Sequence, residues 1–207
     1  MRRIETQTDV DEGAAWLAKT EPRFAPVLAL TGPLPLRLKG DGYPAILSAI
    51  VSQQVSTASA AAIWARVVEA GLTTEAEVLA AGEDGLRACG FSRPKIRYAL
   101  AIAEKPVDWP SLQEAPDDQA RAALIALPGI GPWTAEIYLL SSLGRPDVFP
   151  AGDLALQEAA KIAFDLDQRP SEKAFAQMAE PWSPWRAVAA RALWAYYRHI
   201  KGREGVR

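Results

Sequence analysis

Apolar residues recur three and four positions apart along most of the chain, and no segment alternates in the two-residue period of a strand. Val10, Ala14, Leu17 and Ala18 lay one stripe along a helix over 9–19, and a second helix is expected over 22–30. The proline- and glycine-rich stretch "TGPLPLRLKGDGYP" then bars any helix from crossing it. From Pro44, the residues Ile46, Leu47, Ile50 and Val51 form the stripe of a buried helix that ends at Gln53–Gln54. An alanine-rich helix over 57–70 stops at Gly71. Short helices follow at 75–80 and 83–88, and Pro94 suits the first turn of another that runs to Glu104. Helices over 117–126 and 132–143 flank the short segment "LPGIG". Three more are expected over 154–164, 171–179 and 185–199, the last with Trp185, Val188, Ala189, Ala192, Leu193 and Tyr196 on one face. The pattern predicts an all-α chain of about ten helices.

Composition supports that class: 39 alanines favour helix, and β-branched residues are thinly spread. With 207 residues the chain fits one large domain or two closely packed lobes, and it can bury a core without a disulfide or metal staple. The one cysteine, Cys89, rules out an internal disulfide and a four-cysteine metal cluster. A reducing, cytoplasmic location is expected. The N-terminus has no signal-peptide core, and no apolar run approaches the roughly 20 residues that span a bilayer, so no membrane partner is expected. The net charge of −2 lends no bulk support to a nucleic-acid partner. Basic residues nevertheless gather over 87–105 and 186–207, while acids gather around 75–84 and 104–118.

The most informative stretch is "ALIALPGIGPWTAEIYLL", residues 123–140. Leu127 and Pro128 end one helix, Gly129 and Gly131 permit a tight turn, and Pro132 starts the next helix. Amides of Gly129, Gly131 and Trp133 would then sit by the positive end of a helix dipole and suit a phosphate oxygen. An ordinary αα-hairpin also uses glycine, but here Leu127 and Ile130 frame both glycines and the small pair Thr134–Ala135 follows.

This string resembles the helix-hairpin-helix of the DNA glycosylase superfamily that also contains endonuclease III. Four further stretches, "AILSAIVSQQVSTASA", "CGFSRPKIRYALAIA", "DVFPAGDLALQ" and "WSPWRAVAARALWAYY", are similar in matching order to its DNA-3-methyladenine glycosylase II branch. The resemblance covers roughly residues 43–198, with the hairpin at 117–143 and residues 1–42 left as a helical segment and connector. It implies one compact domain over 1–207, built as two packed lobes with a lesion pocket and a DNA cleft between them. A monomer acting on damaged double-stranded DNA, with no required cofactor, is implied. Sodium or potassium held by the hairpin carbonyls of Ile125, Leu127 and Ile130 is implied too.

Asp153 lies twenty residues past Trp133 and matches the family's catalytic aspartate. An aspartate just before a helix is equally an everyday N-cap, and the two roles are compatible. A base alkylated on a ring nitrogen is positively charged, so its glycosidic bond is already weak. A carboxylate below the sugar can stabilise the positive charge that develops there and can orient water. Relatives with lyase activity carry a lysine just after the hairpin, where this chain has Trp133, so a monofunctional hydrolase is implied. Trp133 and Trp185 match the family's pocket aromatics, with Tyr138 and Trp182 as further candidates and Trp194 read as core. Ile137 stands where members commonly carry tyrosine, which would widen the pocket. Gln53 and Gln54 fall where the family inserts its wedge, Gln54 being the first choice. Gly129, Gly131, Thr134, Arg93 and Lys95 are the remaining candidates for DNA contact, although surface charge explains the two bases equally well. Three alternatives stay open: a non-catalytic DNA-binding module, a glycosylase for uracil, hypoxanthine or etheno-adducts, and a helical interaction domain disfavoured by the lack of repeats.

Overall fold

The computed structural model describes residues 2–105 and 107–202. Among them are twelve α-helices, one 3-10 turn and no strand. The end of the basic run, residues 203–207, lies outside the described residues. The chain divides into two compact units, one of Lys39–Tyr138 and one that joins Met1–Leu38 to Leu139–Arg207. The N-terminal segment is therefore built into the same unit as the C-terminal helices.

That discontinuous unit opens with α1 (Gln7–Thr20), whose start is set by a capping box: Thr6 and Asp9 each hold the other's backbone N–H. After α2 (Phe24–Thr31) the chain returns at residue 139 for α10 (Leu154–Ala163), α11 (Glu172–Met178), the 3-10 turn Glu180–Trp182 and α12 (Arg186–Lys201). α12 is the central element. Residues Ala187 to Ala195 are all buried, because α10, α2 and α1 pack around it. Six of those nine are alanine or valine, small enough to let the neighbouring helices come close. Beside them Trp182 is fully buried and meets Phe24, Phe149, Phe164 and Phe175 edge-on, with ring centroids 5.1–6.1 Å apart. Edge-on pairs of this kind add about 0.5–1.5 kcal/mol each beyond the area they bury.

The second unit runs through α3 (Gly42–Ser52), α4 (Thr57–Glu69), α5 (Glu75–Ala88), α6 (Arg93–Ala103), α7 (Trp109–Glu114), α8 (Asp117–Ile125) and the first part of α9 (Pro132–Ser141). The expected stripe of α3 is buried, with Ile46, Leu47 and Ile50 excluded from solvent and Tyr43 donating to the Ala99 carbonyl at 3.1 Å. α5 breaks at Gly82, between the two short helices expected there. α7 had no counterpart in the sequence pattern: Asp108 caps it and Pro110 falls in its first turn, where proline is tolerated.

Candidate functional site

In the second unit, α8 and α9 form the expected hairpin. The Leu127 N–H returns to Leu124 at 3.0 Å, the Ile130 N–H to Leu127 at 3.2 Å, and the Ala135 N–H to Gly131 at 3.0 Å. Leu127 and Ile130 are buried, and Arg121 pairs with Glu136 to tie α8 to α9. Gly129 has φ +78°, and a Cβ there would lie 2.4 Å from the Tyr98 ring. Both backbone and packing therefore demand glycine. Gly131 differs: it is exposed, and nothing lies within 4 Å of where a Cβ would stand. Trp133 and Ile137 are half-buried one helical turn apart on α9, which places them on one face. Thr134 is buried, so its side chain faces the interior, and the expectation that it touches DNA is corrected to that extent.

The last turn of a helix leaves carbonyls without intrahelical partners, and Ile125 closes α8. The Leu127 carbonyl accepts one long hydrogen bond from Ile130 and keeps a second lone pair. Such backbone oxygens are the donors that monovalent cations prefer, so Ile125, Leu127 and Ile130 fit that role chemically.

The loop after α3 is fastened to this hairpin. The Gln53 side-chain amide donates to the Gly129 carbonyl at 2.9 Å, and Lys95 Nζ donates to the Val51 carbonyl at 2.8 Å. Partial burial pushes the Lys95 amine below its ordinary pKa. Lys95 thus holds the end of α3, while Arg93 is exposed at the start of α6. Between those anchors Gln54 is exposed with φ +56°, a left-handed backbone that costs a non-glycine residue about 1–2 kcal/mol. Strain held in place by surrounding bonds belongs to functional loops more often than to idle ones.

In the discontinuous unit, Asp153 is the N-cap of α10. Its Oδ1 accepts the Leu156 N–H at 3.0 Å, and only 5% of the residue is exposed. Its own N–H bonds the Pro150 carbonyl at 2.9 Å, and buried Gln157 holds the same loop through the Ala151 carbonyl at 2.7 Å. Gln157 was not foreseen, although a lone amide within the stripe of "LALQEAAKIA" is a legible signal.

Three aromatic candidates have other duties. Trp182 fills the core described above. Tyr138 is buried, accepts the Gly42 N–H at 2.7 Å and lies against Trp109, and burial pushes its phenol pKa up. Trp185 is 2% exposed. One face carries the Arg2 guanidinium at 4.2 Å, and the ring sits where a Cβ on Gly13 would be 2.7 Å away. Neither Trp182 nor Trp185 offers an open ring. Trp194, read as core, is indeed buried, but it carries the Arg37 guanidinium 5.3 Å from its ring. This placing of Arg37 was not foreseen, since Arg37 and Lys39 in a proline-rich connector carry no pattern.

A family model described as HhH-GPD superfamily base excision DNA repair protein matches residues 47–184. The chain belongs to this superfamily. A Bacillus subtilis relative named putative DNA-3-methyladenine glycosylase YfjP is 31% identical over 173 residues, covering 77% of this chain and 60% of its own length. A Mycobacterium tuberculosis relative named probable bifunctional transcriptional activator/DNA repair enzyme AlkA is 36% identical over 172 residues, 73% of this chain and 32% of that one. The chain thus spans less than two thirds of either relative. The structure of Schizosaccharomyces pombe 3-methyladenine DNA glycosylase (Mag1) in complex with abasic DNA superposes with a TM-score of 0.79 at 25% identity, covering 95% of this chain and all of that one. The span matched to the HhH-GPD model includes both the hairpin and Asp153.

Proposed function

We propose that this HhH-GPD protein is a monofunctional DNA glycosylase that releases alkylated bases, 3-methyladenine and related lesions, from damaged double-stranded DNA. The observation that carries the reading is Asp153: a buried carboxylate fixed at a helix start, twenty residues past a hairpin tryptophan that stands in the lysine position. The names of the relatives point to the same substrate class.

The chemistry follows from those parts. To reach a base in a duplex, the enzyme takes it out of the stack, and Gln54 fills the gap. Trp133 supplies an electron-rich ring on which a cationic base is favoured. The bond from C1′ to the base nitrogen then breaks, its electron pair leaving with the base. Positive charge grows on the sugar and is stabilised by the Asp153 carboxylate, whose orientation is already set by the Leu156 amide. Water adds to C1′ and passes its proton to Asp153 and on to solvent. At the hairpin, amides at the start of α9 grip a phosphate. A sodium or potassium ion on the Ile125, Leu127 and Ile130 carbonyls would add positive charge there.

The test is base release from methylated duplex DNA, wild type beside Asp153→Asn. Asparagine keeps the N-cap acceptor, so the variant should fold and bind DNA as before. Release should fall at least about 100-fold, the scale of losing an electrostatic group at a reacting centre. Borohydride should trap no covalent adduct. Equal release by both proteins would overturn the role of Asp153. DNA binding without release by either would move the assignment to another lesion or to a binding module.

A further inference from the structure

The chain passes between its two units twice, after Leu38 and after Tyr138. The first passage is the irregular connector that precedes α3. The second is α9 itself, which starts at the hairpin and ends at Ser141. In the unit of the hairpin these passages are fastened to each other: Tyr138 of α9 accepts the Gly42 N–H at 2.7 Å. Trp109 lies against the tyrosine ring, 3.7 Å from where a Cβ on Gly42 would stand, and the Gln113 amide donates to neighbouring Asp41. In the other unit Arg191 of α12 joins the same two passages. Its Nε donates to the Leu36 carbonyl at 3.0 Å, and Nη2 makes a longer bond, 3.5 Å, to the Leu140 carbonyl in the last turn of α9.

Arg191 is fully buried, and among the described residues its hydrogen-bond partners are backbone carbonyls alone, with Ala187 as the third at 2.9 Å. A cation removed from water with no carboxylate beside it is unfavourable, and an apolar side chain of similar length would fill the space at less cost. What only a guanidinium supplies is a rigid planar fork that reaches several fixed acceptors at once. The carbonyls in the last turn of a helix lack intrahelical partners, and a cation there also meets the negative end of the dipole. The connector follows no regular element between its fastenings, and its backbone is left-handed near both of them, at Arg37 with φ +53° and Gly42 with φ +74°. Its path is therefore set by the bonds at Leu36 and Gly42.

We propose that Arg191 and Tyr138 are positioning residues for base release: by fixing both passages of chain between the units, they keep Asp153, which belongs to one unit, in register with the hairpin and Trp133, which belong to the other. The inference rests on the glycosylase reading, in which groups of both units act on one nucleotide. Neither residue touches the base. If a fastening is lost, each unit keeps its own DNA-contacting groups, so affinity persists. What loosens is the approach of the carboxylate to C1′, and misplacing a reacting group by about 1 Å can cost about 100-fold in rate.

The experiment measures single-turnover base release from methylated duplex DNA, binding to abasic duplex and melting temperature for wild type, Tyr138→Phe, Arg191→Met and Arg191→Lys. Tyr138→Phe removes one oxygen and leaves the ring against Trp109, so it decides the matter even where the Arg191 variants fail to fold. Trypsin cleavage after exposed Lys39 reads the connector directly and should be faster in the variants. Release should fall at least about tenfold in Tyr138→Phe and Arg191→Met, while the Kd for abasic duplex stays within about threefold of wild type. Arg191→Lys should behave like Arg191→Met, because one ammonium cannot bridge Leu36 and Leu140 together. Wild-type rates in Tyr138→Phe, restoration by Arg191→Lys, or affinity and rate lost in parallel would overturn the proposal and leave the glycosylase reading standing. Release by none of the proteins, wild type included, would sink the glycosylase reading and this inference with it.

Discussion

Asp147 shows how one side chain can hold a loop at the edge of the candidate site. Its two carboxylate oxygens accept from Arg186 Nε and Nη2 at 2.8 Å each, and Oδ2 also accepts from Ser183 at 2.8 Å. The pair ties the loop that leads to Asp153 to the first turn of α12. Burial pushes the Asp147 pKa up, but the bonds from Arg186 and Ser183 outweigh it and leave the carboxyl below its usual range. A carboxylate whose folded pKa is depressed adds stability above its unfolded value of about 3.9, and that stability disappears as pH falls through the folded value. Asp147→Asn should therefore cost about 1–2 kcal/mol at pH 7, discounted for the partial exposure of both partners. In a chain of this size that lowers the melting temperature by about 3–6 °C. Circular-dichroism melts should show the gap narrowing as pH falls below about 4; a gap that stays constant or widens with falling pH would contradict the assignment. At this scale the sequence was readable where a residue sat in a motif and silent elsewhere. Asp153 could be singled out as a candidate because it matches the family's aspartate, whereas the placing of Arg37 beside Trp194 depends on long-range packing against α12.

Among the elements, the hairpin makes the sharpest separation between what a turn needs to fold and what it offers to a ligand. Gly129→Ala would have to keep φ +78° and push back the Tyr98 ring, so it should destabilise the protein by at least about 1–2 kcal/mol. Gly131→Ala meets open space and should melt within about 1 °C of wild type. If the exposed backbone at Gly131 is where phosphate approaches, that substitution should still weaken binding to abasic duplex several-fold, read by fluorescence anisotropy. Equal destabilisation by both would mean that Gly131 serves the fold alone. Most helices were legible because their buried stripes are long, and the break at Gly82 because glycine interrupts the stripe. α7 was not, since its six residues carry a proline and only Leu112 is buried. That Trp182 and Trp185 are buried was not legible for a related reason. A tryptophan at helical spacing has the same signature whether its ring faces a core or a ligand, and only the tertiary neighbours, four phenylalanines or Arg2 and Gly13, decide.

For the whole molecule, the decisive quantity is how charge is spread. The unit that bears the hairpin holds twelve acidic against eight basic residues, so it is more acidic than the chain as a whole. No pattern in the sequence revealed this, because the unit boundaries depend on long-range contacts such as the Ile4 N–H to the Gly144 carbonyl at 2.7 Å. A surface of that sign cannot grip a polyanion through many lysines and arginines. On the proposed glycosylase reading, affinity comes instead from a few oriented groups: amides at the start of α9, the loop at Gln54 held by Gln53 and Lys95, and the stacked base. Each phosphate neutralised by a cationic side chain contributes about −0.9 to the slope of log K against log salt. Four or fewer such contacts give a slope no steeper than about −4, and hence less than about a thousandfold loss between 50 and 200 mM salt. Titration of abasic duplex by anisotropy across that range measures the slope directly. A value near −7 or steeper would require eight or more cationic contacts, and the interface would then have to lie on the basic surfaces of α6 and α12 rather than at the hairpin.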